Sequence, residues 1–170
     1  MLLLILLCIA IILFVCLLIS IHHRITRASL SVSEALAHIN IALEKRYELI
    51  PNIIKIAKKH NLCELSTIEE LTKLRQQALD ASSFEEIVET NALLATQLST
   101  LLTIANASPK LKTDAYVNDL EDALHKIEEE LSHAQTQHND YVNKYNRLVT
   151  IFPNAIIAHF MGAKKRKFFE

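Results

Sequence analysis

Between Pro109 and Pro153 the sequence has no interior glycine or proline, and apolar or aromatic side chains return at alternating three- and four-residue steps. Val117, Leu120, Leu124, Ile127, Leu131, Ala134, His138, Tyr141, Tyr145, Leu148 and Phe152 follow this seam, the pattern of a helix that buries one stripe. At about 1.5 Å per residue such a helix is roughly 65 Å long. Shorter elements must pack along it or leave the stripe in water. One glycine and three prolines in 170 residues leave too few turn residues for hairpins or sandwiches. The class is therefore all-α.

Met1 to Ile21 carries no charged side chain and is filled mostly by Leu, Ile, Val, Phe and Cys, enough to cross a bilayer core of about 30 Å. A cleaved signal peptide is the rival reading. It is disfavoured because Lys and Arg are missing from the n-region, the apolar run is long, and no pair of small residues in the A-x-A pattern precedes His22. His22, His23, Arg24 and Arg27 follow the span at once, while no basic side chain precedes it. The positive-inside rule then places the amino terminus outside and the rest of the chain in the cytoplasm, at the cell membrane.

From about Ala28 to Lys59 the stripe reads Val32, Leu36, Ile39, Leu43, Ile50, Ile54 and Ala57, so a first soluble helix continues out of the membrane. Pro51 interrupts it. The proline has no N–H and its ring crowds the carbonyl four residues back, that of Tyr47, which predicts a kink or loosened turn. Ser66 with Glu69, or Thr67 with Glu70, has capping-box spacing and opens a second helix with the stripe Ile68, Leu71, Leu74 or Arg75, and Ala78. Ser82 and Ser83 with Glu85 and Glu86 repeat the signal for a third, on Phe84, Ile87, Asn91, Leu94, Leu98, Leu101 and Ala105. Ser108 and Pro109 have the types expected at the cap and first position of the long helix. After Phe152-Pro153 a short apolar turn runs to Met161, and Gly162 suits a left-handed stop.

These elements predict an anchor over 1–21, an elongated antiparallel four-helix bundle with one very long C-terminal helix over 22–163, and a basic-aromatic tail over 164–170. Alternating directions return the long helix toward the bilayer. Lys164, Lys165, Arg166 and Lys167 would then sit with Arg24 and Arg27 at the anionic head groups, each charge contributing about 1 kcal/mol. The alternative is a solvated tail with ordinary surface charge.

Little of the chemistry points to catalysis. Eighteen basic against nineteen acidic residues give no global field for nucleic acid. Cys8 and Cys16 lie in the apolar leader and Cys63 in a connection, which makes neither a disulfide framework nor a thiolate zinc site. Asp122 with His125 and Glu130 with His133 have the i, i+3 spacing of di-iron bundles, but both pairs lie on one helix beside its seam and read as solvated charge. No phosphate loop, nucleophile elbow or His-Glu-x-x-His run occurs. Neither a catalytic set nor a metal, cofactor or small-molecule substrate is expected. Arg46, Glu48, Leu49, Pro51 and Asn52, with Tyr145, Asn146, Phe152 and Pro153, form the candidate hub. Their polar groups either satisfy backbone freed by the prolines or present a notch for a partner.

The run Arg46-Tyr47-Glu48-Leu49-Ile50-Pro51-Asn52-Ile53 resembles a signature of the LemA family, in which Arg, an acidic residue, Leu and an aliphatic residue precede Pro-Asn. Tyr145-Asn146, Phe152-Pro153, Ala158, Gly162 and Phe168-Phe169-Glu170 are similar to that family's C-terminal pattern, and Leu120, Leu124, Ile127 and Glu128 to positions of its long helix. The chain departs from it at Gln135 and His138-Asn139, where the family shows an Arg followed by Tyr-Asn, and at Ala107-Ser108-Pro109. The resemblance implies a single-pass bacterial membrane protein with a long antiparallel helical bundle, in the neighbourhood of membrane peptidases and envelope-stress components. The expected role is a non-enzymatic scaffold or adaptor that meets other envelope proteins, or itself, through the bundle surface. The other reading is a membrane-surface sensor or remodeller whose basic tail binds anionic lipid.

Overall fold

The computed structural model describes residues 1–107 and 114–169. The protein is all-helical, 87% helix with no strand among the described residues. The helices are α1 (Leu2–His60), α2 (Leu65–Asp80), α3 (Phe84–Ala107), α4 (Ala115–Thr150) and α5 (Asn154–Phe160). The expected cap at Ser108 and Pro109 and the terminal Glu170 lie outside the described residues.

The predicted leader and first soluble helix are one element. α1 passes through Pro51 without ending and stops at a left-handed residue, Asn61, at φ 50°. There Leu62 N–H donates to the Ala57 carbonyl at 3.0 Å and Asn61 N–H to that of Lys58 at 3.4 Å, the paired bonds that close a helix through an αL residue. Gly162, φ 66°, ends α5 in the same way, with Ala163 N–H on the Ala158 carbonyl at 2.9 Å and Gly162 N–H on that of His159 at 3.0 Å.

The two expected capping boxes part company. Ser83 and Glu86 form one: Glu86 N–H donates to Ser83 Oγ at 3.2 Å, and Ser83 and Ser82 N–H to Glu86 Oε2 at 3.1 and 3.0 Å. These bonds hold the Glu86 carboxyl below its usual range. At α2 the box does not form. The helix begins at Leu65 after Glu64, which makes no side-chain cap. Ser66 and Thr67 thus already lie in the first turn, two and three residues past the cap position.

The chain divides into two compact units. Unit 1 comprises Met1–Ala37 with Ala134–Phe169, and unit 2 His38–His133. In unit 2 the buried positions are Ile39, Ala42, Leu43, Arg46, Tyr47, Ile50, Ile53, Ile56 and Ala57 of α1, Ile68, Leu71, Leu74 and Ala78 of α2, Asn91, Leu94, Leu98, Leu101 and Ala105 of α3, and Val117, Leu124, Ile127 and Leu131 of α4. α2 and α3 pack on each other.

In unit 1, Ile21, Ile25 and Val32 share a core with Val142, Tyr145, Val149 and Ala158. Here the heptad seam needs correction. Val142 and Val149 are buried, while Tyr141 and Leu148 lie partly buried on the flank and Phe152 is exposed. An α-helix of 3.6 residues per turn drifts about 20° per heptad from a strict 3.5 repeat, and by Val142 the inward row has moved one residue on. Met1 to Ser20 is exposed throughout. By length and hydropathy α1 is able to cross a membrane. α3 meets the same measure, but its stripe from Asn91 to Ala105 is buried in unit 2.

Candidate functional site

Arg46 occupies the helical row between Leu43 and Ile50 and therefore points inward with them, leaving only 4% of its surface exposed. Its Nη1 donates to Asn91 Oδ1 of α3 at 2.7 Å and its Nη2 to Glu128 Oε1 of α4 at 3.5 Å. Nε is buried with no partner. Burial pulls the Arg46 pKa below its ordinary value, and the charges of Glu128 and Tyr47 oppose this in part. A guanidinium stays protonated even so. A cation is thus held in the core by one neutral amide and one half-exposed carboxylate. From the residue before Arg46, Lys45 Nζ meets Glu130 Oε2 at 2.7 Å at the surface.

The Pro51 effect appears at the carbonyl that was expected to lose its donor. Arg75 Nε of α2 donates to the Tyr47 carbonyl at 2.9 Å, replacing the N–H that Pro51 lacks. Helix α1 continues across the proline, and another helix supplies the missing bond.

The expected hub residues divide here. Arg46 is interior, whereas Glu48, Pro51 and Asn52 are exposed and Leu49 is half-buried. Arg46 and Glu48 do not pair, since their side chains leave α1 on different faces. Among the described residues Asn52 does not bond the freed carbonyl, a role taken by Arg75. The di-iron spacing likewise brings nothing together: Glu130 binds Lys45, and exposed His125 lies 3.4 Å from Glu129.

In unit 1 one residue of the second half of the hub, Asn146, holds the tail. Asn146 Nδ2 donates to the Arg166 carbonyl at 2.9 Å and its Oδ1 accepts the Arg166 N–H at 2.8 Å. Asn139 repeats this pair on Phe169, at 2.9 and 2.8 Å. Seven helical residues rise about 10.5 Å and three extended residues span about 10 Å, so two asparagines one heptad apart match two tail residues three apart. Phe169 is buried and meets the His138 ring edge-on, centroids 6.5 Å apart. Burial lowers the His138 pKa, and a hydrogen bond with Asn139 opposes the shift. Tyr145 is core. Phe152 and Pro153, joined by a cis peptide bond, turn the chain from α4 into α5 and are exposed.

The predicted membrane-contact residues Arg24, Arg27, Lys164, Lys165, Arg166 and Lys167 are all exposed. Lys164, Lys165 and Arg166 line a cleft of about 510 Å³ opposite Ile25, Thr26, Ser29 and Leu30. Arg166 Nη2 donates to Ser29 Oγ at 3.4 Å.

The family model described as LemA family matches residues 35–170. This chain belongs to the LemA family. The match takes in the Arg46–Pro51 run, both asparagine clamps and the tail, and leaves the apolar start of α1 outside. No curated protein matches the chain. The LemA-like motif residues therefore serve two structural centres, one in each unit.

Sequence reasoning named Arg46 and Asn146 for the hub and did not assign Asn91, Arg75, Glu128 or Asn139 to it, the residues that meet Arg46, the Tyr47 carbonyl and the tail in the structure. A signal existed for Asn91. Asn91 is polar inside an apolar stripe, and the α1 stripe skips from Leu43 to Ile50 over Arg46; two polar residues at core positions need each other.

Proposed function

We propose that this LemA-family chain is a single-pass, membrane-anchored helical protein that works without catalysis, as a scaffold or adaptor of the bacterial envelope. The observation that supports it most is the continuity of α1. Its first residues are apolar and exposed, and the same helix then supplies buried side chains to both compact units. An anchor built into the core helix holds the attached domain at a membrane, with no linker to let it wander.

In this reading the amphipathic part of α1 with α2, α3 and α4 forms an antiparallel bundle. The order of the α1–α4 bonds, Lys45 to Glu130 and Arg46 to Glu128, supports opposite directions. Arg24 and Arg27 keep the bundle on the cytoplasmic side. Partner proteins, or a second copy, dock on the bundle surface. Glu48, Pro51 and Asn52 suit this purpose, since they lie outward on the helix that buries Arg46. Photocrosslinkers placed at Glu48 and Asn52 in native membranes should capture a discrete partner or a dimer. Recovery of the monomer alone would sink the adaptor reading.

A second reading has its own observation. Lys164 and Lys165 border the cleft immediately beyond the apolar run of α1, where a tail acting as a sensor of anionic lipid would need them. Reversing the charge of Lys164 through Lys167 should then abolish vesicle binding by the domain without its anchor, and unchanged binding would exclude it.

A further inference from the structure

Exposure along α1 drops from 53% at Ile19 to 3% at Ile21. Ile21 and Ile25, the first interior residues after the apolar run, belong to the same core cluster as Val149 and Ala158, with Ile157 packed on it. The corner from α4 into α5 therefore lies at the level where the exposed apolar run ends. One side of α5 is spent on that core. The other carries Ile156 and Phe160, which with Phe152 of the preceding turn make a row at four-residue spacing, 52%, 84% and 78% exposed respectively, flanked by exposed Ile151 and Met161.

Two highly exposed phenylalanines, one in the turn before a seven-residue helix and one at its end, are a costly surface for water, and clusters of this kind mark contact sites. The local charge says with what. From Ile151 to Phe168 the sequence has no Asp or Glu and ends in Lys164, Lys165, Arg166 and Lys167. A protein partner would need a cationic rim matched by acids, whereas an anionic lipid surface supplies apolar depth below and negative charge above in the order that the corner and tail present them.

We propose that the α4–α5 corner is a second membrane element, which inserts Phe152, Ile156 and Phe160 at the lipid interface beside the α1 anchor. It rests on the anchor reading and goes beyond it: the domain touches the bilayer at two points and cannot swivel about a single helix. The tail, clamped by Asn139 and Asn146, keeps its basic residues above the corner.

The chain contains no tryptophan, so single Trp reporters are unambiguous. The full-length protein is reconstituted in phosphatidylcholine–phosphatidylglycerol vesicles with lipids brominated high or low on the acyl chain. Four variants are compared: Phe14→Trp in the apolar run, Phe152→Trp, Phe160→Trp, and Ser33→Trp as an exposed baseline about 18 Å further along α1 from Ile21. The expected result is emission loss with low bromine for Phe14→Trp, loss with high bromine for Phe152→Trp and Phe160→Trp, and none for Ser33→Trp. Quenching of Phe14→Trp while the corner variants behave like the baseline overturns the corner and leaves the anchor standing. No quenching anywhere overturns both. Blue-shifted corner emission without quenching would mean that a second copy or another protein covers the corner, and also overturns the proposal.

Discussion

Unit 2 takes a full charge, Arg46, into its interior and holds it with Asn91, a distant Glu128 oxygen and one unpartnered N–H. Unit 1 relies on neutral amides: Asn139 and Asn146 each exchange two bonds with tail backbone, and every bond is 2.8 or 2.9 Å. The difference is one of tolerance. A buried cation with minimal partners makes its neighbours indispensable, because losing one leaves charge without compensation. An amide clamp at the surface returns its groups to water when broken and costs much less.

The largest effect is therefore expected at Asn91. Asn91→Leu removes the best acceptor of Arg46 and should destabilise unit 2 by about 3 kcal/mol. Arg46→Met alone should cost less, and the double variant should recover most of the loss, since matched apolar groups replace a matched polar pair. Urea unfolding in detergent micelles across this cycle gives the coupling. A neutral Asn91→Leu would contradict the account of the charged centre.

Next is the Pro51 repair. Arg75→Ala leaves the Tyr47 carbonyl without its donor and should cost about 1.5 kcal/mol. Pro51→Ala restores an ordinary helical N–H and should stabilise by about 1 to 2 kcal/mol. The two must interact: with alanine at 51, losing Arg75 should matter less. Additive effects would show that the bond between Arg75 and Tyr47 does not replace the missing one.

These two centres show how far the sequence could be read. The α2 and α3 stripes were largely legible, since a 3.6-residue period suffices there: Ile68, Leu71 and Ala78 are buried, as is the α3 row from Asn91 to Ala105, while Phe84 and Ile87 at its start lie only partly buried and the α2 choice falls to Leu74. The donor that meets the Tyr47 carbonyl freed by Pro51 was invisible along the chain, since it comes from Arg75, 28 residues on. Asn139 was hidden differently. It falls where the family pattern was broken by His138, and only the path of the tail shows that the asparagine, and not the ring before it, does the clamping. The outward drift of Tyr141 and Leu148 likewise depends on helix geometry over several heptads, which a local pattern cannot register.

The clamp predictions invert the contrast. Asn139→Ala and Asn146→Ala should leave unit 1 folded but free the tail, each loss being about 1.5 kcal/mol or roughly tenfold less amide protection. Asn139→Ala should have the larger effect, because it also loosens buried Phe169, whereas Asn146 holds an exposed arginine. Hydrogen exchange at the Arg166 and Phe169 amides reads both. Equal protection in all three proteins would mean that the tail is held by Phe169 packing alone.

The smallest effect is a pH dependence from His138, which shares its neighbourhood with Phe169 and Asn139. Burial lowers its folded pKa below the ordinary value of 6.5, so the folded unit prefers the neutral ring. Below about pH 6.5 the unfolded chain takes up a proton that the folded one resists, and by linkage stability falls as pH drops through that window. Above it both states are neutral and the term is constant. Other histidines titrate in the same range, so the informative quantity is a difference: the stability gap between the wild type and His138→Gln should narrow as the pH is lowered from about 7.5 to 5.5. A gap of constant size would show that the ring titrates alike in both states, and that the contact with Phe169 does not exclude its charged form.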